Sequence, residues 1–254
     1  MTVAELGAHR LGPWIFNCWI VPDGGAGRPM VVDLGVPSTA DALSALLEGC
    51  SLTAEPVIVA THMHVDHVAG IPRFEASAAC DVCLPPKAAA YEAGEKFELP
   101  GLREVIKIMP VFRSQPFELA PLKELATAEV GCVRTRYVPP SVSPTILVDG
   151  DAVPGAPDWR VMVTPGHSED STSLWNERTR TLISGDAILS VGPRAWFNPE
   201  TVFPAMQAET EDRLRSFRVD VLLPGHGRPV VGRDVLSRAL GFRQRAPRGL
   251  HRAR

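Results

Sequence analysis

The 254-residue chain has few of the features that mark secreted or membrane proteins. Its five cysteines are odd in number and irregularly spaced, which argues against a disulfide framework. No run of about eighteen apolar residues occurs, so no membrane-spanning helix is predicted. Residues 1–13 also lack the apolar stretch of a signal peptide. We therefore expect a cytoplasmic protein that does not bind membranes.

An excess of charge of one sign is also absent. The 26 lysines and arginines nearly balance the 29 aspartates and glutamates, which leaves a net charge of −3. Nucleic acid is therefore not an expected partner. A small-molecule substrate is expected instead, and a homodimer is left open.

What the chain does contain is histidine in short motifs. Five of its seven histidines lie in Thr61–His67, Thr164–His167 and Pro224–Gly227, and Ser184–Asp186 adds a carboxylate. Each motif follows a short apolar run, which is typical of a buried strand. The sequence therefore places histidines and aspartates on loops at the ends of several strands.

Predicted strands and helices alternate along the chain, which indicates a layered α/β fold. One domain is expected over residues 1–242, with a helical insertion at about 86–145. The insertion has no ligand motif, and we interpret it as a lid or pocket wall rather than a packing element. Residues 243–254 are arginine-rich, and a flexible terminus is favoured over an anion-binding arm. The main elements expected are strands at Trp14–Val21, Met30–Asp33, Pro56–Ala60, Trp159–Val163 and Val219–Leu223, and helices at Pro37–Leu47, Glu200–Phe217 and Val231–Phe242.

The first motif has the spacing of a metal-binding loop. His62 and His64, two residues apart, can point to the same side of an extended segment. Asp66 and His67 face the other way if the chain turns, so one loop could serve two ions. Each ion needs about four to six donors. Histidine and carboxylate without thiolate suit Zn2+ and tolerate Mn2+ or Fe2+. The remaining donors are expected from the other motifs: His167, Asp186 and His226.

These ordered motifs resemble those of the metallo-β-lactamase-fold hydrolase superfamily. The resemblance covers Trp14–Phe242 and includes Asn17 and Asp33-x-Gly35. It implies a four-layer αβ/βα sandwich, with the site at one edge between two sheets. It also implies these roles: His62, His64 and His167 bind one ion, Asp66, His67 and His226 bind the other, Asp186 bridges them, and Asp33 lies beneath the ligand loop and orients an imidazole.

The resemblance implies a hydrolase with two divalent metal ions, for which Zn2+ is the first expectation. A hydroxide bridged between the ions would cleave a small ester, thioester or lactone, with Asp66 as the proton acceptor. The aspartate at position 186 is similar to glyoxalase II and acyl-homoserine lactonases. Only residues 227–254 follow His226, however, so the glutathione-holding helical domain of glyoxalase II is not expected.

Three other functions stay open from the sequence. The first is a mononuclear iron sulfur dioxygenase of the same superfamily, although this chain has more ligand residues than such an enzyme uses. The second is a short-form metal-dependent ribonuclease, and the third is a non-catalytic binding protein. Tyr137, Arg194 and Trp196 are the expected substrate-binding residues. Cys80 and Cys83 are interpreted as packing residues rather than a zinc pair, because no second pair follows.

Overall fold

The computed structural model describes residues 7–49 and 54–246, in which short strands and helices alternate. No helix of this part of the chain is both long and apolar enough to cross a membrane. The strands are β1 (His9–Leu11), β2 (Cys18–Val21), β3 (Met30–Val32), β4 (Val57–Val59), β5 (Asp81–Leu84), β6 (Gly131–Val133), β7 (Arg136–Val138), β8 (Thr145–Ile146), β9 (Ala152–Val153), β10 (Ala156–Val163), β11 (Thr172–Asn176), β12 (Thr181–Gly185), β13 (Ile188–Val191), β14 (Arg194–Phe197), β15 (Val221–Pro224) and β16 (Val230–Val231).

The helices are mostly short, and several begin with a proline in their first turn. Proline suits that position because it lacks only an N–H that has no partner within the helix. The helices are α1 (Pro37–Gly49), α2 (Val65–Val68), α3 (Ile71–Glu75), α4 (Lys87–Glu92), α5 (Leu102–Lys107), α6 (Met109–Phe112), α7 (Ala120–Thr127) and α8 (Pro204–Arg215), and a 3₁₀ helix spans Val235–Arg238.

Two six-stranded sheets form the centre of the fold. The first has the order β1-β2-β3-β4-β5-β8 and the second β16-β15-β12-β11-β10-β9. β3, β4, β5 and β8 run parallel, as do β12 and β15. Because parallel strands end at the same edge of a sheet, the loops after them gather there. Two hairpins, β6-β7 and β13-β14, lie outside these sheets.

Side chains alternate between the two faces of each strand and so divide the core into layers. On β4, Val57 and Val59 pack between the sheets, whereas Ile58 faces a cluster formed with α1 and α3. In the second sheet, Leu223 faces inward and Leu222 packs towards α8. The result is the expected four-layer αβ/βα sandwich of helices, sheet, sheet and helix.

Cys80, directly before β5, and Cys83 within it follow the same alternation. Cys83 is buried between the sheets, and Cys80 packs against the helix side of the first sheet. Both are free cysteines. Their separation to opposite faces confirms the packing role expected from the sequence.

Three sequence expectations differ from the structure. The helix expected at Val231–Phe242 is wrong: only Val235–Arg238 is helical, because Asp234 takes a left-handed φ of 50° that interrupts a helix. The first strand is shorter than Trp14–Val21, because Trp14 has a φ of 49°. The helix expected from Glu200 begins at Pro204.

The insertion is helical over α4 to α7 and ends in the β6-β7 hairpin. The arginine-rich tail is partly described. Residues 243–246 pack against the domain, where the Gln244 carbonyl accepts a hydrogen bond from Trp196 Nε1 at 3.1 Å. Residues 247–254 lie outside the described residues, so the expectation for them stays a prediction.

Candidate metal centre

All seven ligands expected from the sequence come together at one edge of the sandwich. His62, His64, Asp66 and His67 follow β4 of the first sheet. The other three follow strands of the second sheet: His167 after β10, Asp186 after β12 and His226 after β15. Three groups of side-chain ligand atoms lie within 4.8 Å of one another: His62 with His64 and His167; Asp66 with His67 and His226; and His62 with His67 and Asp186.

Asp186 lies between the first two groups. Its Oδ2 is 3.6 Å from His167 Nε2 and 3.2 Å from His226 Nε2. Its Oδ1 is 3.6 Å from His67 Nε2. The two oxygens of this carboxylate therefore face histidines of both groups.

Four of the five imidazoles are held by their outer nitrogen. His167 Nδ1 lies 2.7 Å from the Glu200 carbonyl, and His226 Nδ1 lies 3.2 Å from the Ile15 carbonyl. A carbonyl only accepts, so each Nδ1 carries the proton and Nε2 keeps its lone pair for the cluster. His64 is turned the other way, with Nδ1 2.9 Å from His167 Nε2. In the other four rings, the outer contact thus fixes which nitrogen faces the cluster.

Asp33 organises the ligand loop from below. Its Oδ1 accepts the Thr61 N–H at 2.8 Å, and its Oδ2 accepts the Thr61 hydroxyl at 2.8 Å and His67 Nδ1–H at 2.9 Å. The same Thr61 hydroxyl lies 3.1 Å from His62 Nδ1. One buried carboxylate therefore orients His67 directly and His62 through Thr61, as the resemblance implied.

Buried polar atoms without partners test whether these residues fit a metal ion. His62 Nε2, His67 Nε2 and Asp186 Oδ1 are buried and have no hydrogen-bond partner. A buried polar atom without a partner is costly, so each such atom requires an explanation. A divalent cation at the cluster would satisfy all three, and the nitrogen and oxygen donors suit it.

The ionisation states of the cluster are consistent with cation binding. Burial and the neighbouring His167 lower the pKa of His64 to about 3, so this ring is neutral and can coordinate a metal. Burial opposes the charge of Asp186, but the histidines around it hold its pKa below the usual range. Burial also opposes protonation of His67, but the carboxylates of Asp33, Asp186 and Asp66 raise its pKa to about 9. These carboxylates favour a positive charge beside them, and a bound cation would supply it in place of the proton on His67.

Glycines allow the loops to approach this closely. A Cβ at Gly225 would overlap Asp186 Oδ1, and a Cβ at Gly35 would overlap the Asp66 carbonyl. The Gly225 carbonyl also accepts the Asn17 N–H at 3.1 Å, and Asn17 Nδ2 donates to the Pro224 carbonyl at 2.7 Å. Asn17 on the first sheet thus fixes the loop that carries His226.

A cavity of about 520 Å³ opens from the cluster. The ligands His64, Asp66, His167, Asp186 and His226 line one end. The segment before β2 and the inserted helices α5 to α7 supply its other walls, which are almost entirely apolar. These wall residues are Trp14, Ile15, Phe16, Val65, Leu99, Pro100, Val105, Ile108, Phe112, Phe117, Leu122, Leu125, Cys132 and Glu200.

The three residues expected to bind substrate, Tyr137, Arg194 and Trp196, do not line this cavity. Tyr137 packs beneath the ligand loop, with its hydroxyl 3.5 Å from Met63 Sδ. Trp196 is 2% exposed and lines a different cavity. Arg194 begins β14 and lines a separate surface cleft. These residues were chosen because they are aromatic or cationic, and residue type alone does not indicate which side of a strand faces the cavity.

Two acidic residues near the centre were missed from the sequence. Asp170 Oδ2 accepts the Met63 N–H at 2.6 Å and so braces the ligand loop, and burial raises its pKa. Glu200 lines the cavity, and burial raises its pKa to about 7. Asp170 follows His167 closely in Pro165-Gly166-His167-Ser168-Glu169-Asp170, which is the one sequence signal that could have identified it.

A two-sheet α/β sandwich with histidines and aspartates at the edge between its sheets defines a class of metallo-hydrolase folds. A model of this class, the metallo-beta-lactamase superfamily, matches residues 11–226. The chain therefore belongs to the metallo-beta-lactamase superfamily.

Individual relatives agree with this assignment. The chain is similar to probable metallo-hydrolase YflN of Bacillus subtilis (strain 168), with 25% identity over 92% of this chain and 89% of YflN. It is 30% identical to acyl-coenzyme A thioesterase MBLAC2 of Gallus gallus, over 89% of this chain and 82% of that protein. The solved structure of TTHA1623 in a di-iron-bound form has the same fold, with a TM-score of 0.58 and 22% identity over 88% of this chain and 93% of that one.

Proposed function

We propose that this chain is a dinuclear metal-dependent hydrolase that cleaves an ester or thioester with an apolar acyl group. The observation that carries the proposal is the apolar cavity of about 520 Å³ that ends on the histidine and aspartate cluster. Its size is within the usual range for small-molecule sites. A substrate carbonyl at the cluster would leave its acyl chain against the apolar walls.

The two ligand groups support binding of two cations. His62, His64 and His167 would hold one ion, and Asp66, His67 and His226 the other, with Asp186 shared between them. Zn2+ suits these donors, and Mn2+ or Fe2+ are alternatives. When bound, such ions lower the pKa of a water molecule and polarise a substrate carbonyl.

The side chains of the protein supply the other parts of the reaction. Asp66 is the partly exposed carboxylate of the cluster, with 23% of its side chain accessible, so it can accept a proton from water in the cavity. The water oxygen bonds to the carbonyl carbon as the C–S or C–O bond breaks, and the leaving sulfur or oxygen receives that proton. The apolar walls orient the acyl chain and exclude other water.

The named activity of two relatives supports a thioester as the substrate. MBLAC2 of Gallus gallus and of Homo sapiens, each 30% identical to this chain, are acyl-coenzyme A thioesterases. An acyl thioester combines an activated carbonyl with an apolar chain, which are the two features that the cluster and the cavity fit.

A substrate series on protein of measured metal content tests the proposal. Thioesters, esters and lactones carrying acyl groups from acetyl to palmitoyl would be compared by kcat/KM, before and after chelation. We expect chelator-sensitive hydrolysis that improves with acyl length until the cavity is filled. Full metal loading without turnover across the series would refute the proposal. One iron per chain with oxygen consumption would indicate the dioxygenase, and chelator-sensitive RNA cleavage the ribonuclease.

A further inference from the structure

A second cavity, of about 710 Å³, lies beside the metal cavity. Its lining combines apolar side chains with three cationic ones. The apolar lining includes Ile106, Pro110, Trp196, Pro199, Pro204 and Phe242, and the cations are Lys107, Arg243 and Arg245.

The two cavities share a wall made by the insertion. In α5, Val105 lines the metal cavity, whereas Ile106 and Lys107 line the second. In α6 and the residue before it, Ile108 lines the first cavity and Pro110 the second. One layer of the chain therefore separates the two spaces.

A second segment divides the cavities in the same way. The Glu200 side chain lines the metal cavity, and its neighbours Pro199 and Thr201 line the second one. The Glu200 carbonyl is also the acceptor for His167 Nδ1 at 2.7 Å. The second cavity is thus only one residue away from a contact that positions a cluster histidine.

The charged side chains that line the second cavity are all cationic. After Asp234 the sequence has no carboxylate side chain, and its charged residues are Arg238, Arg243, Arg245, Arg248, Arg252 and Arg254. Arg243 and Arg245 are exposed, and the Arg243 guanidinium lies 5.0 Å from the ring centre of Phe242. Lys107 contacts Glu104 at 3.9 Å, the outer limit of an ion pair. Such cations can be neutralised by an incoming ligand.

We propose that the second cavity binds the phosphate-bearing carrier of an acyl thioester while the acyl group occupies the metal cavity. This inference rests on the proposed function, which it deepens by assigning the leaving group. Arginine pairs with phosphate through two parallel hydrogen bonds. The apolar floor offers a surface on which an uncharged part of the carrier can pack. The carrier would leave the metal cavity at the thioester sulfur and pass over the wall formed by α5 and α6, so that the carbonyl stays at the cluster.

Charge reversal at the two arginines tests this assignment. The double variant Arg243→Glu, Arg245→Glu would be compared with wild type on one acyl group carried by three thiols: N-acetylcysteamine, phosphopantetheine and coenzyme A. We expect KM for both phosphate-bearing thioesters to rise about tenfold or more, because two charge-assisted contacts become repulsive. The kcat values and the hydrolysis of the N-acetylcysteamine thioester should not change. Arg233→Glu, at an exposed arginine that lines another cleft, is the matched control.

Calorimetric binding of coenzyme A to the metal-loaded protein gives a readout independent of turnover. Binding should weaken with added salt and fall about tenfold or more in the double variant. If the double variant and wild type have the same KM for each of the three thioesters, the inference is overturned and the hydrolase proposal is left intact. Binding of coenzyme A that the charge reversal does not weaken would also overturn it. Failure of wild type to hydrolyse any of the three thioesters would instead count against the proposed function.

Discussion

At the scale of single residues, Asp33 shows how one buried carboxylate can organise several ligands. Its φ of 61° is in the left-handed region, which costs free energy for a residue other than glycine. Three hydrogen bonds from Thr61 and His67 offset that cost. The same hydrogen bonds that stabilise the strained backbone of Asp33 therefore orient the imidazoles.

Asp33→Asn should reduce metal affinity by about 10- to 100-fold, because the amide loses the charge and one acceptor that orient His67 and Thr61. Asparagine tolerates a left-handed φ, so the fold should be retained. Metal affinity measured by competition with a chromogenic chelator checks this. Asp41→Asn, at an exposed carboxylate paired with Arg73 at 2.7 Å, is the control. Equal affinity in Asp33→Asn and wild type would contradict the orienting role.

In the proposed dinuclear centre, Asp186→Asn should lower the bound metal from two ions per chain towards one. The amide keeps the size of the side chain but cannot share an anionic oxygen with each ion. Activity should fall by about 10²-fold or more, as for loss of one group that stabilises the transition state. Metal analysis by mass spectrometry, together with kcat, measures both effects. Two ions and full turnover in this variant would rule out the shared role.

The sequence allowed the ligands to be predicted but not the residues of the cavity. Each ligand belongs to a motif directly after a strand, so His62 or Asp186 is placed by local structure alone. Trp14 and Leu122 line the cavity because two distant segments pack together, which no local pattern encodes. Tyr137 and Trp196 lie outside the metal cavity for the same reason: their rings pack beneath the ligand loop and in the core.

At the scale of elements, the insertion has two roles that its sequence does not separate. Helices α5 to α7 wall the cavity, whereas β6 supports the ligand loop, since Cys132 N–H donates to the Met63 carbonyl at 2.7 Å. Helix α5 has no buried residue, although Leu102 and Ile106 are apolar and exposed. The sequence predicted a helical insertion but gave no indication of what this helix would contact.

Leu122→Trp should shift the preference of the enzyme towards shorter acyl groups. Leu122 lies in α7 and lines the cavity, so a larger side chain there shortens the space for the acyl chain. We expect kcat/KM for the longest good substrate to fall about tenfold, within the range for misfit of one or two methylene groups. Leu119→Trp makes the same change beside this helix, at a residue that is 53% exposed. The prediction fails if both variants keep the acyl-length profile of wild type, or if Leu122→Trp loses metal.

At the scale of the whole molecule, the cluster joins the two sheets. His62, His64, Asp66 and His67 belong to the first sheet, and the other three ligands to the second. Direct contacts already connect the halves, including Thr172 N–H to the Thr61 carbonyl at 2.8 Å and Met63 N–H to Asp170 at 2.6 Å. Bound cations would add further links across the same edge.

Removal of metal should therefore lower the stability of the entire domain rather than of one loop. A ligand present at about 100 times its Kd stabilises the folded state by about 2.7 kcal/mol. For a chain of this size that corresponds to a fall in Tm of about 5–10 °C on chelation. Circular dichroism melting before chelation, after it and after Zn2+ is restored measures the change. Because the ions would hold both sheets, the melt should remain a single transition. An unchanged Tm with ion loss verified by metal analysis would mean that the cluster does not couple the two halves.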